Sequence, residues 1–136
     1  MRILVDTDVL LDDALDREPW AEAAVALLDY CLSGRATCFV SWHSLATVFY
    51  YASDDGKQAA RDFIAELLDF AHVAPVGHED MLFALEQEMS DFEDAMQVAA
   101  AVACRASRIV TRNVRDYKKS LVPALTPAEF LKTLGA

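Results

Sequence analysis

The chain has 136 residues, with 22 Asp and Glu against 12 Lys and Arg, a formal net charge of −10, and 54% hydrophobic residues. That length is about one domain with a real core, and that composition excludes a disordered or fibrous chain. No apolar run approaches the roughly 20 residues of a membrane span, and three cysteines without C-x-x-C spacing exclude a disulfide scaffold and a cysteine zinc site.

Ile3-Leu4-Val5 is a short apolar run that stops at Asp6, the pattern of a buried parallel strand. Val9, Leu10 and Leu11 suggest a short helix after it. Pro19 falls where the first turn of a helix tolerates proline, and Trp20, Ala23, Ala24, Leu27, Leu28 and Cys31 recur at helical spacing up to Ser33-Gly34. Residues 37–40 read as a second strand, and 42–52 as a helix carrying Leu45, Val48, Phe49 and Ala52. Asp54-Asp55-Gly56 breaks the pattern before an amphipathic helix with Phe63, Ile64, Leu67 and Leu68. A third strand is expected over 72–76, then helices near 78–89 and 91–106, the latter rich in alanine at 99–101 and 103. Residues 108–111 and 122–125 complete the strands, and Thr126-Pro127-Ala128-Glu129 has capping-box spacing with proline at the first helical position.

With no linker or repeat, residues 1–136 read as a single domain. Short strands alternating with helices predict an α/β fold: a three-layer α/β/α sandwich on a short, mainly parallel, twisted sheet of four to five strands. The first six residues turn acidic too soon for a secretory leader, and the cysteine usage fits a reducing cytoplasm.

In parallel sheets, ligands gather beyond the carboxyl ends of the strands. Asp6 directly follows the first strand and Asp8 stands two residues on. Asp91 and Asp94, three apart at a helix start, share one face. Asn113 and Asp116 follow the fourth strand. Converging, these side chains would repel unless protons or a cation intervened, and an all-oxygen set suits Mg²⁺ or Mn²⁺.

Simpler roles compete for several residues. Ser90-Asp91-Phe92-Glu93 also fits a capping box, which would make Glu93 a cap, whereas Asp94 lies too far inside the helix to cap. Asp12 and Asp13 read as solvated, and Phe39, Trp42, Phe49, Tyr50 and Tyr51 as core rather than a base-stacking platform, with Trp42 or Tyr51 free to be exposed. His43, His72 and His78 are scattered, so no histidine metal site is expected. Six of the twelve bases, Arg105, Arg108, Arg112, Arg115, Lys118 and Lys119, crowd into one short segment of this acidic chain. That segment is either a solvated turn or an anion-binding edge.

Three stretches carry a resemblance. Asp6-Thr7-Asp8-Val9-Leu10-Leu11-Asp12 after its strand resembles the opening of PIN-domain proteins. Phe92-Glu93-Asp94 running into Ala99-Ala100-Ala101 is similar to the family's acidic, alanine-rich helix. The segment from Ile109 through Thr111-Arg112-Asn113 to Asp116-Tyr117 is similar to its strand ending in Thr-Arg-Asn and then Asp-aromatic. The resemblance implies a PIN-like fold and a Mg²⁺- or Mn²⁺-dependent ribonuclease acting on single-stranded RNA, in the branch of VapC-type toxins. It implies Asp6, Asp94 and Asn113 or Asp116 as metal ligands with Asp91 beside them, a homodimer, and an antitoxin partner. Arg112, Arg115, Lys118 and Lys119 would draw in the RNA backbone.

One position departs from the family. Where many members carry Glu in a Ser-x-x-x-x-Ala-Glu context, this chain ends Ser41-Trp42-His43-Ser44-Leu45-Ala46 with Thr47. Asp8, Asp91 or Glu93 would then complete the site. The alternative is a catalytically weak module that binds nucleic acid or a partner without cutting. A looser resemblance of Asp6-Thr7-Asp8 to haloacid-dehalogenase-type phosphatases would make Asp6 a nucleophile and Asp8 a general acid, but no downstream Lys and paired-acid motif accompanies it.

Overall fold

Five short strands pair in parallel in the computed structural model, which describes residues 1–134: Arg2–Val5 (β1), Thr37–Val40 (β2), Ala71–Val73 (β3), Arg108–Val110 (β4) and Ala124–Leu125 (β5). The sheet order is β3-β2-β1-β4-β5, with Leu4 opposite both Phe39 and Ile109. Seven helices flank it among the described residues: Thr7–Ala14 (α1), Ala21–Leu32 (α2), Trp42–Ala52 (α3), Lys57–Leu68 (α4), His78–Leu85 (α5), Phe92–Ala103 (α6) and Pro127–Lys132 (α7). This is the expected α/β sandwich on a parallel sheet. No described helix is long and apolar enough to cross a membrane.

Side-chain alternation along β1 builds the two cores. Ile3 and Val5 pack with Val9, Leu10, Leu27, Val48, Leu67 and Phe130, drawn from α1, α2, α3, α4 and α7. Leu4, between them, packs on the opposite face with Ile109, Val98, Ala101 and Tyr117. Alanines at 99–101 are nearly fully buried, so α6 lies close against the sheet. The chain leaves β1 toward β2 and β3, then returns to place β4 on the other side. The carboxyl ends of β1 and β4 therefore flank the point where strand order reverses, and the Asp6 amide donates to the Val110 carbonyl at 2.9 Å.

Several boundaries differ from the sequence expectation. Helix α2 begins at Ala21 with Trp20 before it, and Pro19 lies in the preceding turn, after a cis peptide bond to Glu18. Strand β3 ends at Val73: Ala74 still donates to the Val40 carbonyl at 2.8 Å, but Pro75 has no N–H with which to continue the ladder. Helix α5 stops at Leu85, and Gln87 turns back to donate to the Phe83 carbonyl at 3.0 Å. Helix α6 stops at Ala103, before Arg105 adopts a left-handed backbone (φ 59°). The capping box of α7 is present, Thr126 Oγ1 accepting from the Glu129 amide at 3.1 Å and Glu129 Oε1 from the Thr126 amide at 3.0 Å.

Of the α3 aromatics, Phe49 is half-buried and the others face outward. Ser44, Val48 and Ala52 form the buried stripe of the helix, while Trp42 and Tyr50 are each 73% exposed and Tyr51 is also exposed.

Candidate metal centre

Asp6 leaves β1 in extended conformation and caps α1, its Oδ1 accepting from the Thr7 amide at 2.8 Å. The carboxylate is buried, and three side chains from distant segments complete its partners. Gln97 Nε2 donates to Oδ1 at 2.8 Å, while Thr111 Oγ1 and Tyr117 Oη donate to Oδ2 at 2.8 and 3.0 Å. Together with the Thr7 amide, these contacts fix the orientation of the carboxylate. Tyr117 Oη also lies 3.2 Å from Asp94 Oδ1, so one phenol bridges the two acids. It has a single proton and cannot donate to both at once.

Helix α6 supplies the second group of acids. Asp91 is its cap, accepting from the Asp94 amide at 3.1 Å. Glu93 is therefore not the cap that the Ser90-to-Glu93 spacing suggested. It reaches across to α3, where its Oε2 lies 2.6 Å from His43 Nε2 and 3.3 Å from Thr7 Oγ1. Asp91, Glu93 and Asp94 can each present an oxygen within 4.8 Å of the others.

Burial and mutual repulsion favour protonation here. Burial, then the Glu93 charge, raises Asp6, against the lowering effect of its Thr111, Gln97 and Thr7 bonds. Burial, followed by the charges of Asp91 and Asp6, pushes Asp94 up to about 7. Asp8 is likewise pushed up to about 7 by burial and the Asp6 charge. Burial and the flanking acids also raise Tyr117, which keeps its proton at any ordinary pH.

Asp8 is tied to the turn after β4. Its Oδ2 accepts from the Arg112 amide at 3.1 Å and Asn113 Nδ2 at 3.2 Å, and its Oδ1 is buried with no partner among the described residues. Asn113 thus reaches the site through Asp8 and makes no bond to Asp6 or Asp94. Asp116 is exposed and lines a separate crevice with Arg115, Lys118, Lys119, Glu88 and Ser90. Its neighbour Tyr117 turns inward instead.

Two residues occupy places other than those expected from the sequence. Asp12, read as solvated, is 1% exposed and grips Arg112 with both oxygens, Nε to Oδ2 at 2.7 Å and Nη2 to Oδ1 at 3.2 Å. The same guanidinium lies 3.9 Å from the centre of the Trp20 ring, so Arg112 is a structural clamp rather than a free contact for a phosphate backbone. Thr47 sends its hydroxyl back to the His43 carbonyl at 3.3 Å, so α3 contributes no carboxylate at that place.

Gln97 and Tyr117 were missed in the sequence. Gln97 sits three residues after Asp94 on the sheet-facing stripe of α6 and has no exposed surface. Besides Asp6, its Nε2 faces Thr7 Oγ1 at 3.2 Å and Ser44 Oγ at 3.0 Å, and its Oε1 accepts from Ser41. A glutamine inside an alanine stripe was the available signal, because a buried carboxamide needs partners. An aromatic after Asp116 reads as core, and only its hydroxyl distinguishes Tyr117 from phenylalanine.

The donor set is oxygen throughout, it crowds raised carboxyls together, and it leaves a buried Asp8 oxygen unpartnered. These features fit a hard divalent cation.

Comparison with known proteins places the fold and the family. The chain is 22% identical over 134 residues to Ribonuclease VapC1 of Aquifex aeolicus (strain VF5), covering 95% of this chain and 92% of that protein. Its fold is similar to that in the VapBC2 structure from Rickettsia felis bound to a promoter DNA fragment (TM-score 0.73, 16% identity, 93% of this chain and 98% of the other). It is similar too to the VapBC-1 structure from nontypeable Haemophilus influenzae (TM-score 0.70, 13% identity, 94% and 99%) and to FitAcB from Neisseria gonorrhoeae (TM-score 0.65, 16% identity, 93% and 98%). The family model of the PIN domain matches residues 2–115, and with Asp6, Asp94 and the Thr111 turn all inside that span, the chain belongs to the PIN domain family.

Proposed function

We propose that the protein is a divalent-metal-dependent ribonuclease that hydrolyses phosphodiester bonds in single-stranded RNA, and that it is the toxin of a toxin–antitoxin pair. The observation that carries this reading is the Tyr117 bridge: Asp6 and Asp94, far apart in sequence, lie within hydrogen-bond reach of one hydroxyl. Asp6 and Asp94 would hold Mg²⁺ or Mn²⁺, with Asp91 and Glu93 beside them. Such a cation lowers the pKa of a bound water and offsets charge developing on a phosphate.

The chain's own residues prepare that site. Thr111, Gln97 and the Thr7 amide donate to Asp6, and His43 holds Glu93 on the side of Thr7. Asp8 and Asn113 hold the turn after β4 in place. With Arg112 engaged by Asp12, the exposed Arg115, Lys118 and Lys119 are the bases left to attract an RNA backbone, and their crevice includes Asp116 at its rim. An antitoxin offering basic side chains to these acids completes the proposal, supported by the likeness to complexes of the VapBC and FitAB type, and a homodimer is proposed from the family resemblance alone.

Replacing Asp6 or Asp94 by Asn is expected to abolish Mn²⁺-stimulated cleavage of single-stranded RNA while leaving the far-ultraviolet circular dichroism unchanged. Undiminished cleavage by both variants would refute the assignment. The backward-bonded Thr47 favours a second reading, a module that binds without cutting. Mn²⁺ binding without turnover on any RNA would select it. Family membership leaves the phosphatase alternative without support.

A further inference from the structure

We propose that Gln97 is a positioning residue for the metal centre: its carboxamide fixes the Asp6 carboxylate in the orientation that faces Asp94, and thereby sets the site's affinity for a divalent cation. This inference rests on the reading of Asp6 and Asp94 as cation ligands. A buried amide without partners costs about 1–3 kcal/mol, so a glutamine on the sheet-facing stripe of α6 requires polar neighbours, and the neighbours it has all belong to the site or its support. Nε2 faces Asp6 Oδ1 (2.8 Å), Ser44 Oγ (3.0 Å) and Thr7 Oγ1 (3.2 Å), and Ser41 donates to Oε1. Exchanging the amide oxygen and nitrogen would set a carbonyl against a carboxylate, so the orientation is determined by Asp6 itself.

The placement divides the work of α6 between two residues on one face. Asp94 reaches the cleft directly, and Gln97, three residues on, stands behind Asp6. The other donor to Oδ1 is the Thr7 amide, from the adjacent residue. Gln97 is thus the link from that oxygen to a separate element. Through Ser41 and Ser44 it also ties Asp6 to the start of α3, the helix that brings no carboxylate at Thr47. Partners that orient metal ligands typically change affinity by about 10- to 100-fold when removed.

The test is a calorimetric Mn²⁺ titration of the full chain, wild type against Gln97→Met and Asp6→Asn. Methionine approximates the volume of glutamine and removes the donor. The expected result is Mn²⁺ binding weakened by about 10- to 100-fold in Gln97→Met and lost in Asp6→Asn, with both variants unfolding cooperatively. Wild-type affinity in Gln97→Met with loss in Asp6→Asn would overturn the role of Gln97 alone. Absence of Mn²⁺ binding in the wild type, or unchanged binding in Asp6→Asn, would overturn both the cation reading and this one. Should Gln97→Met fail to fold, the side-chain amide signals of Gln97 in the wild type decide by NMR. Slow exchange with water and a shift on adding Mg²⁺ support the proposal, while solvent-like exchange and no response to Mg²⁺ overturn it.

Discussion

Arg112 shows how one residue's chemistry can be read correctly and its partner wrongly. Its charge and its place after β4 suggested a phosphate contact, yet its guanidinium is spent on Asp12, a carboxylate 1% exposed, and on the face of Trp20. Nothing in the spacing of Asp12 reveals that α1 turns this acid inward rather than toward water. Truncating one partner of such a buried pair leaves the other charge uncompensated, at a cost of about 3–5 kcal/mol. Arg112→Ala is therefore expected to lower stability by about 3 kcal/mol or more in urea denaturation, and adding Asp12→Leu to recover much of that loss. A change within about 0.5 kcal/mol, the range of ordinary surface substitutions, would contradict the clamp. Asp6 and Asp94 could be singled out in the sequence because one directly follows a strand and the other lies too far inside its helix to cap it. Tyr117 could not, because only its hydroxyl sets it apart from a core aromatic.

At the scale of elements, local chemistry predicted what local chemistry decides. The Thr126-to-Glu129 spacing gave a capping box that the structure contains, because both bonds close within one turn. The apolar run of β1 was equally plain, since burial on both faces demands it. The phase of a helix is a tertiary matter. Helix α3 is apolar nearly all round, so the sequence could not say that Ser44, Val48 and Ala52 face inward and Tyr50 outward. The cap of α6 failed for a related reason. Ser90 and Asp91 both satisfy capping preferences, and the choice of Asp91 releases Glu93 to meet His43, a residue of another element. Proline punctuation had the same ambiguity: Pro19 belongs to the turn before α2 rather than to its first turn.

For the whole molecule, the parallel sheet explains why acids that repel one another are held together. Strand order reverses beside β1, and the fold's own packing energy holds Asp6, Asp8 and Asp94 close together, bridged by the Thr111 and Tyr117 hydroxyls. The consequence is a pH dependence of definite sign. Asp8 and Asp94 are pushed up to about 7 from an ordinary 3.8, and Asp6 is raised as well. Between about pH 4 and about pH 7 the folded chain retains protons that the unfolded chain has released, so metal-free stability falls as pH rises through that window. Scanning calorimetry with a chelator present is expected to show Tm falling from about pH 5 to about pH 8, less steeply in Asp94→Asn, with Mn²⁺ restoring Tm at the upper end. A flat or rising Tm in the metal-free protein would be inconsistent with acids held against their preference.

In the proposed site, Asp6 and Asp94 bind one cation together. Anomalous diffraction from a crystal of the chain soaked in Mn²⁺ tests it most directly. A manganese peak within coordination distance of both carboxylates is expected, and a peak confined to other acids, or no peak at all, would refute a shared ion.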